Sequence, residues 1–171
     1  MDINQSFSMF CRYLASKIQG LSGPIHVLNV YAPYKDRFPF WNKFLSSEIM
    51  EIDSLLISGD LNCTLSNDEV CGRGKMNDLL SSLINGALLQ QNMTDVHPES
   101  MGPTCENGRI DNSYLAKRLD RFMINDKLMD RMGRLVSNII NCYISDHRPI
   151  SLHGVKVFSG KGSPSNLTEF G

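Results

Sequence analysis

Three short apolar runs, each flanked by polar residues at one end, set the terms for this chain. Ile25 to Tyr31 reads IHVLNVY, a run of β-branched and apolar residues with the pattern of a buried strand. Ala32-Pro33 ends it, because proline has no N–H to give to a ladder. Leu55 to Ser58 is a second apolar strand, stopped by Gly59, and Leu119 to Ile124 (LDRFMI) is a third. Ser6 to Leu14, Thr94 to Val96, Val136 to Ile144 and Pro149 to Leu152 add further strand-like pieces. Helical stripes separate the early strands. Pro39 suits a first helical turn, and Trp41, Phe44, Leu45 and Ile49 follow on one face. Leu79, Leu80, Leu83, Ile84, Ala87 and Leu88 form a second stripe, and Asp126 is placed to cap a short third helix that Gly133 ends. Ser66 to Lys75 and His97 to Ser113 read as loops. Helices and strands alternate early and strands dominate late, which gives an α/β fold class: a layered α/β sandwich with a mixed sheet.

Composition excludes several alternatives. The 171 residues suffice for one domain with its own core. The 17 Lys+Arg nearly balance the 18 Asp+Glu, so there is no strongly basic arm of the kind that grips nucleic acid by charge alone. Apolar runs are only a few residues long, too short to span a membrane. The first residues, MDINQSFSMF, have neither the basic nor the apolar region of a secretory signal, so a nuclear or cytoplasmic protein, not a secreted one, is expected. The five cysteines, at 11, 63, 71, 105 and 142, are odd in number and form no CxxC pair, which argues against a disulfide-linked partner. Residues 1–155 are read as the domain and 156–171, rich in Ser and Gly, as a flexible tail.

The candidate chemistry lies at strand ends. Asp60 and Asn62 follow the strand at Leu55 and, two residues apart in extended backbone, project to the same side; the plain alternative is an Asx-type turn closing the strand. Asp146 and His147 follow the strand at Val136. As neighbours in extended chain they point apart, so each needs a partner elsewhere. Asp120, inside the strand at Leu119, offers His147 an acceptor and would orient the imidazole as a general base. The plain alternative for Asp120 is a salt bridge to Arg118 or Arg121. Tyr31 closes its strand with a phenol that reaches a phosphate if it faces the site, and packs if it does not. Carboxylates, an amide and a histidine converging at strand ends suit a hard divalent cation and an oxyanion substrate.

This constellation, in this order, resembles the endonuclease/exonuclease/phosphatase superfamily. The matching pieces are VYAP (Val30–Pro33), GDLN (Gly59–Asn62), RLDRF (Arg118–Phe122) and SDH (Ser145–His147). The intervening wording, VYAPYKDRFPFWNKF, GDLNCTLS, PTCENGR and AKRLDRFMI, is similar to the endonuclease domain of plant long-interspersed-element (LINE, non-LTR) retrotransposons over about residues 6–153. The resemblance implies a four-layer sandwich with two mixed sheets, a Mg²⁺ (or Mn²⁺) cofactor, and DNA as the partner that is nicked by water attack on a phosphodiester. It implies that Asp60 prepares the attacking water or serves the leaving oxygen, and that Asn62 holds the phosphate or the water. Asp120 orients His147, His147 sits at the scissile phosphate, Asp146 is a metal-side carboxylate and Tyr31 contacts the phosphate. Asn107, in the loop before RLDRF, and Arg118 are expected on the substrate.

Two departures from the family pattern stand out. The family's early Asn and its principal metal-ligand Glu have no counterpart here, so a domain lacking its N-terminal strands, with impaired metal binding and activity, is expected. The loop that usually reads threonine-tryptophan reads Thr104-Cys105. Two other readings compete: a small-molecule phosphatase of the same superfamily, and a non-catalytic DNA- or protein-binding remnant. The remnant reading would use Lys117, Arg118, Arg121, Lys127, Arg131 and Arg134 on phosphates. The interspersed Asp120, Asp126 and Asp130 make a solvated face the plain alternative for that segment.

Overall fold

A computed structural model describes residues 10–17, 21–72 and 78–155. In chain order the elements are β1 (Cys11–Ser16), β2 (Ile25–Tyr31), α1 (Arg37–Leu45), β3 (Leu55–Asp60), β4 (Val70–Gly72), α2 (Ser81–Gln90), β5 (Met93–Asp95), β6 (Cys105–Glu106), β7 (Leu115–Lys117), β8 (Asp120–Asn125), α3 (Asp126–Met132), β9 (Arg134–Ile139) and β10 (Ile150–Val155). Short 3₁₀ turns at Glu48–Glu51 and Asn67–Glu69 precede β3 and β4.

The main sheet has five strands in the order β1-β2-β3-β8-β5. It is mixed: β2 and β3 are parallel and every other pair is antiparallel. A parallel pair needs a crossover, which the segment carrying α1 supplies. Alternation along the strands sends side chains to both faces. Leu28 and Val30 of β2, Leu55 and Ile57 of β3 and Met123 of β8 join Trp41, Phe44, Ile84 and Leu88 in one core under α1 and α2. Ile25, Val27, Leu56, Phe122 and Ile124 meet Leu128 and Met132 of α3 and Leu135, Ile150 and Leu152 of a β9–β10 ribbon in a second core. Helices, mixed sheet and ribbon therefore stack as layers, as the α/β reading requires. Among the described residues only the five-stranded sheet is mixed; the ribbon and a small β4-β7-β6 sheet are antiparallel. No helix among the described residues is long and apolar enough to cross a membrane.

Several boundaries differ from the sequence reading, each for a local reason. Gly59 does not stop β3, which runs through it to Asp60. Its φ of 116° and the Val30 carbonyl, 2.2 Å from where a Cβ would stand, show that it is there so that two strands can approach. The first helix ends at Leu45, and Ile49 reaches the core from the following 3₁₀ turn. The cap of α3 is Asn125, whose Oδ1 accepts from the Leu128 N–H at 3.1 Å, with Asp126 in the first turn. β9 ends at Ile139, where Ile140 donates to the Pro149 carbonyl and Pro149 has no N–H to return. Residues 6–9 of the expected first strand and the expected tail at 156–171 lie outside the described residues.

Candidate functional site

One end of the main sheet carries a row of polar residues. Tyr31 of β2 stands opposite Asp60 of β3, and Asp60 stands opposite Asp120 of β8. The parallel pair contributes two C-terminal ends and the antiparallel strand its N-terminal one, so the row sits at one edge by topology. His147, from the segment between β9 and β10, completes it. Its Nδ1–H donates to Asp120 Oδ2 at 2.9 Å, and its Nε2 lies 3.9 Å from Asp60 Oδ2. Of the two sequence alternatives for Asp120, the geometry therefore selects the imidazole.

Asp60 and Asn62 take the plainer of their two readings, the turn. The Asn62 N–H donates to Asp60 Oδ1 at 2.8 Å, an Asx-type turn, and Asn62 has a φ of 49°. The pair is therefore not extended, and the same-side argument from strand periodicity does not apply. The Asn62 carboxamide is fixed instead by donating to the Ala32 carbonyl at 2.5 Å, while Arg37 bridges the Asn62 carbonyl and Asp78, each at 2.7 Å. Tyr31 ends the row with its side chain 65% exposed. Asp146 is exposed beside His147, and the His147 N–H donates to Ser145 Oγ at 3.1 Å, bending the chain there. Among the described residues Asp146 pairs with no Lys or Arg.

Two expected substrate residues have other occupations. Arg118 is buried, with Nη1 bonded to Glu69 at 2.8 Å and both terminal nitrogens bonded to Asp95 at 2.6 and 2.7 Å. Arg121, also buried, shares the same two carboxylates. Neither guanidinium faces a ligand, because each is part of a four-charge cluster inside the protein. Asn107 is exposed and closes its own loop, donating to the Ser113 carbonyl at 2.7 Å and accepting from the Leu115 N–H at 3.1 Å. Within the wider basic segment, Lys127 pairs with Asp53, and Arg131 bonds the Ser22, Gly23 and Pro24 carbonyls and Ser54.

Two residues matter more than their sequence context shows. Thr104 is fully buried, and its Oγ1 accepts from the Leu119 and Asp120 N–H groups, each at 2.9 Å. It fixes the backbone that carries Asp120. Glu69, in a stretch that reads as a polar loop, is the buried anion between Arg118 and Arg121. Its signal is an unpaired-looking Arg-x-x-Arg in a strand, which demands a carboxylate without saying where.

The electrostatics follow from this packing. Burial raises the Asp60 pKa; the Asn62 N–H pulls it down, and the facing Asp120 charge pushes it up again. Burial alone would lower that of His147, but the hydrogen bond and charge of Asp120, helped by Asp60 and Asp146, leave it raised. Burial and the charges of Asp146, Asp120 and Asp60 push the Cys105 thiol up to about 11. The site thus holds an oriented imidazole, a buried carboxyl beside it and an excess of negative charge that a cation or a proton must offset. Cys105, Asp146 and His147 form a possible metal-binding group, their potential ligand atoms lying within 4.8 Å of one another.

No family model and no curated protein matches the sequence. Among solved structures the chain is similar to the endonuclease domain of TRAS1, a telomere-specific non-LTR retrotransposon, with 14% identity and a TM-score of 0.66. That match covers 88% of this chain and 65% of the other. It is also similar to the 3′ phosphatase NExo from Neisseria, solved with a product DNA hairpin, with 18% identity and a TM-score of 0.59, over 84% of this chain and 64% of the other. The chain thus spans a little less than two thirds of either structure. The likeness shows the fold alone, a layered α/β sandwich shared with these two proteins.

Proposed function

We propose that this chain is a phosphodiesterase domain of the retroelement-endonuclease type, which nicks DNA by directing water at a phosphodiester. The observation that carries the reading is the in-register row Tyr31–Asp60–Asp120 with His147 bonded to Asp120. In this reading Asp120 keeps the imidazole in the tautomer that leaves Nε2 toward the substrate. His147, with its pKa raised, is stabilised in its charged form beside a phosphate. Asp60 takes or returns the proton of the attacking water or leaving oxygen, a role that its raised pKa suits. Asn62, locked by Ala32, supplies a fixed amide, and the exposed Tyr31 phenol reaches the phosphate.

A divalent cation belongs to the same reading. Mg²⁺ or Mn²⁺ takes one or two protein carboxylates and fills the remaining positions with water and phosphate oxygens. Asp146, exposed and without a cationic partner among the described residues, is the carboxylate best placed to hold it. When bound, the ion would neutralise charge on the phosphoryl oxygens.

The test is nicking of supercoiled plasmid with Mg²⁺ by the wild type, Asp60→Ala and His147→Ala, with circular dichroism confirming the fold of each. Both substitutions are expected to lower the rate about 10²–10⁴-fold. Nicking that neither changes would overturn the assignment. Salt-dependent DNA binding without nicking would favour the binding remnant, although the structure removes Arg118 and Arg121 from the surface that reading needs.

A further inference from the structure

The position opposite the dyad histidine is a cysteine, and the backbone holds it there. The Glu106 N–H donates to the Asp146 carbonyl at 3.0 Å and the Arg148 N–H donates to the Thr104 carbonyl at 2.7 Å. These two bonds flank an antiparallel bridge between Cys105 and His147. The two residues therefore form a non-hydrogen-bonded pair, the arrangement in which facing side chains are closest and lie on the same side. The bend at Ser145 keeps the exposed Asp146 carboxylate nearby, although strand alternation alone would send it to the other side.

We propose that Cys105, Asp146 and His147 form a binding site for a thiophilic divalent cation of the Zn²⁺ class. The donor set is one sulfur, one imidazole nitrogen and one carboxylate oxygen, which selects Zn²⁺, Co²⁺ or Cd²⁺ over Mg²⁺. Three protein ligands leave a fourth tetrahedral position for water or a ligand. With metal–ligand bonds of ~2.0–2.3 Å, tetrahedral donors stand roughly 3.5 Å apart. The three donors, already within 4.8 Å of one another, need to close by about 1 Å. A rotamer adjustment of exposed Asp146 and half-buried Cys105 achieves that. The outer shell is also in place: Asp120 accepts from His147 Nδ1, as carboxylates do behind metal-ligating imidazoles, and leaves Nε2 to the ion. The surroundings favour a cation, since the negative charges of Asp60 and Asp120 each outweigh the positive charge of Lys117 at Cys105. Such an ion would take His147 and Asp146 away from phosphate chemistry, making the centre sensitive to thiophilic metals.

Co²⁺ is the probe. Titration of the whole chain is expected to give a thiolate-to-cobalt charge-transfer absorption that saturates at one equivalent and is displaced by Zn²⁺ but not by Mg²⁺ at the same concentration. Cys105→Ser is expected to abolish the band, whereas Cys71→Ser and Cys142→Ser retain it. Asp146→Asn, at an exposed position where folding is not at stake, is expected to weaken Zn²⁺ at least tenfold by calorimetry, and it decides the matter if Cys105→Ser fails to fold. A band that survives in folded Cys105→Ser, its absence from the wild type, or unchanged Zn²⁺ affinity in Asp146→Asn would overturn the proposal. The readout is absorbance and heat, so it stands apart from whether the chain cleaves DNA.

Discussion

Replacing Glu69 with Gln should remove a large share of the stability of this domain. The Glu69 carboxylate accepts four hydrogen bonds. At Oε1 they come from Arg118 Nη1 (2.8 Å) and Arg121 Nη1 (3.0 Å), and at Oε2 from Arg121 Nη2 (3.0 Å) and the Leu65 N–H (2.6 Å). With Asp95 it balances two guanidiniums whose side chains are 2% and 0% exposed. A Gln keeps one acceptor oxygen and turns an NH₂ group toward two other donors, while the cluster acquires a net positive charge out of reach of water. Breaking one member of a buried ion cluster costs about 3–5 kcal/mol. Against a typical domain stability of about 5–15 kcal/mol, that is about a fifth or more. In urea, at an m value of ~2 kcal/mol/M, the unfolding midpoint should fall by ~1.5–2.5 M. Asp53→Asn, which breaks the exposed pair with Lys127, is the matched control and should leave the unfolding midpoint nearly where it is. The sign with pH follows from the shifts. Burial pushes Glu69 and Asp95 up, but Arg121 and Arg118 more than reverse it, so both fall below their ordinary 4.5 and 3.8. Their stabilisation is complete above those values and is lost as pH drops through the lower folded ones, so the Gln variant should show a flatter acid limb. A loss below ~1 kcal/mol, with that limb unchanged, would mean that the cluster holds nothing together.

Gly59→Ala should cost ~3 kcal/mol or more in thermal unfolding, since its Cβ would stand 2.2 Å from the Val30 carbonyl at a φ of 116°. Gly86→Ala in α2, where a Cβ meets nothing within 4 Å, should instead raise stability by about 0.5–1 kcal/mol. Asn125→Ala removes the α3 cap and two further buried bonds, to the Leu55 N–H and the Ile52 carbonyl, and should cost ~2–3 kcal/mol in the same assay. Burial notwithstanding, Asp120 raises His147 above its ordinary 6.5. The charged imidazole that the proposed role beside the phosphate needs thus persists above 6.5, and the alkaline limb of the nicking rate profile should lie above 6.5. His147 likewise contributes stability fully below 6.5 and loses it as pH rises through the folded pKa. Asp120→Asn should move the limb down and lower the rate; an unmoved limb would remove His147 from that role.

What the sequence made legible was local. IHVLNVY forms a strand because its alternation serves two cores, and the second helical stripe buries Ile84 and Leu88 as its spacing requires. Asp60, Asp120 and His147 were findable because each sits at the end of a recognisable strand or in a short motif, and strand ends meet at one sheet edge. What stayed hidden depends on pairing across distance. Glu69 lies in a segment whose polarity reads as solvated, and its partners are 49 and 52 residues away. Gly59 looks like a stop until the parallel partner strand is laid beside it. Asn107, expected on the substrate from the family resemblance alone, also closes its own hairpin, a pairing that no local pattern announces.

The Arg118–Arg121 stretch shows why the two kinds of residue are coupled. In extended backbone, Asp120 and Arg121 point to opposite sides of β8. Arg121 goes inward to Glu69 and Asp95, and Asp120 goes to the edge where His147 waits. Leu119, just before Asp120, closes the other end by offering its carbonyl to the Leu61 N–H while its own N–H goes to Thr104. The carboxylate that holds His147 needs a fixed backbone, and here the fixing comes from Arg121, buried with its carboxylates on the opposite side of the same strand, and from the buried Thr104 hydroxyl. Arg118 and Arg121 therefore bear on the proposed site without touching it. Their removal should displace Asp120 and loosen its 2.9 Å bond to His147 before it changes anything at the surface.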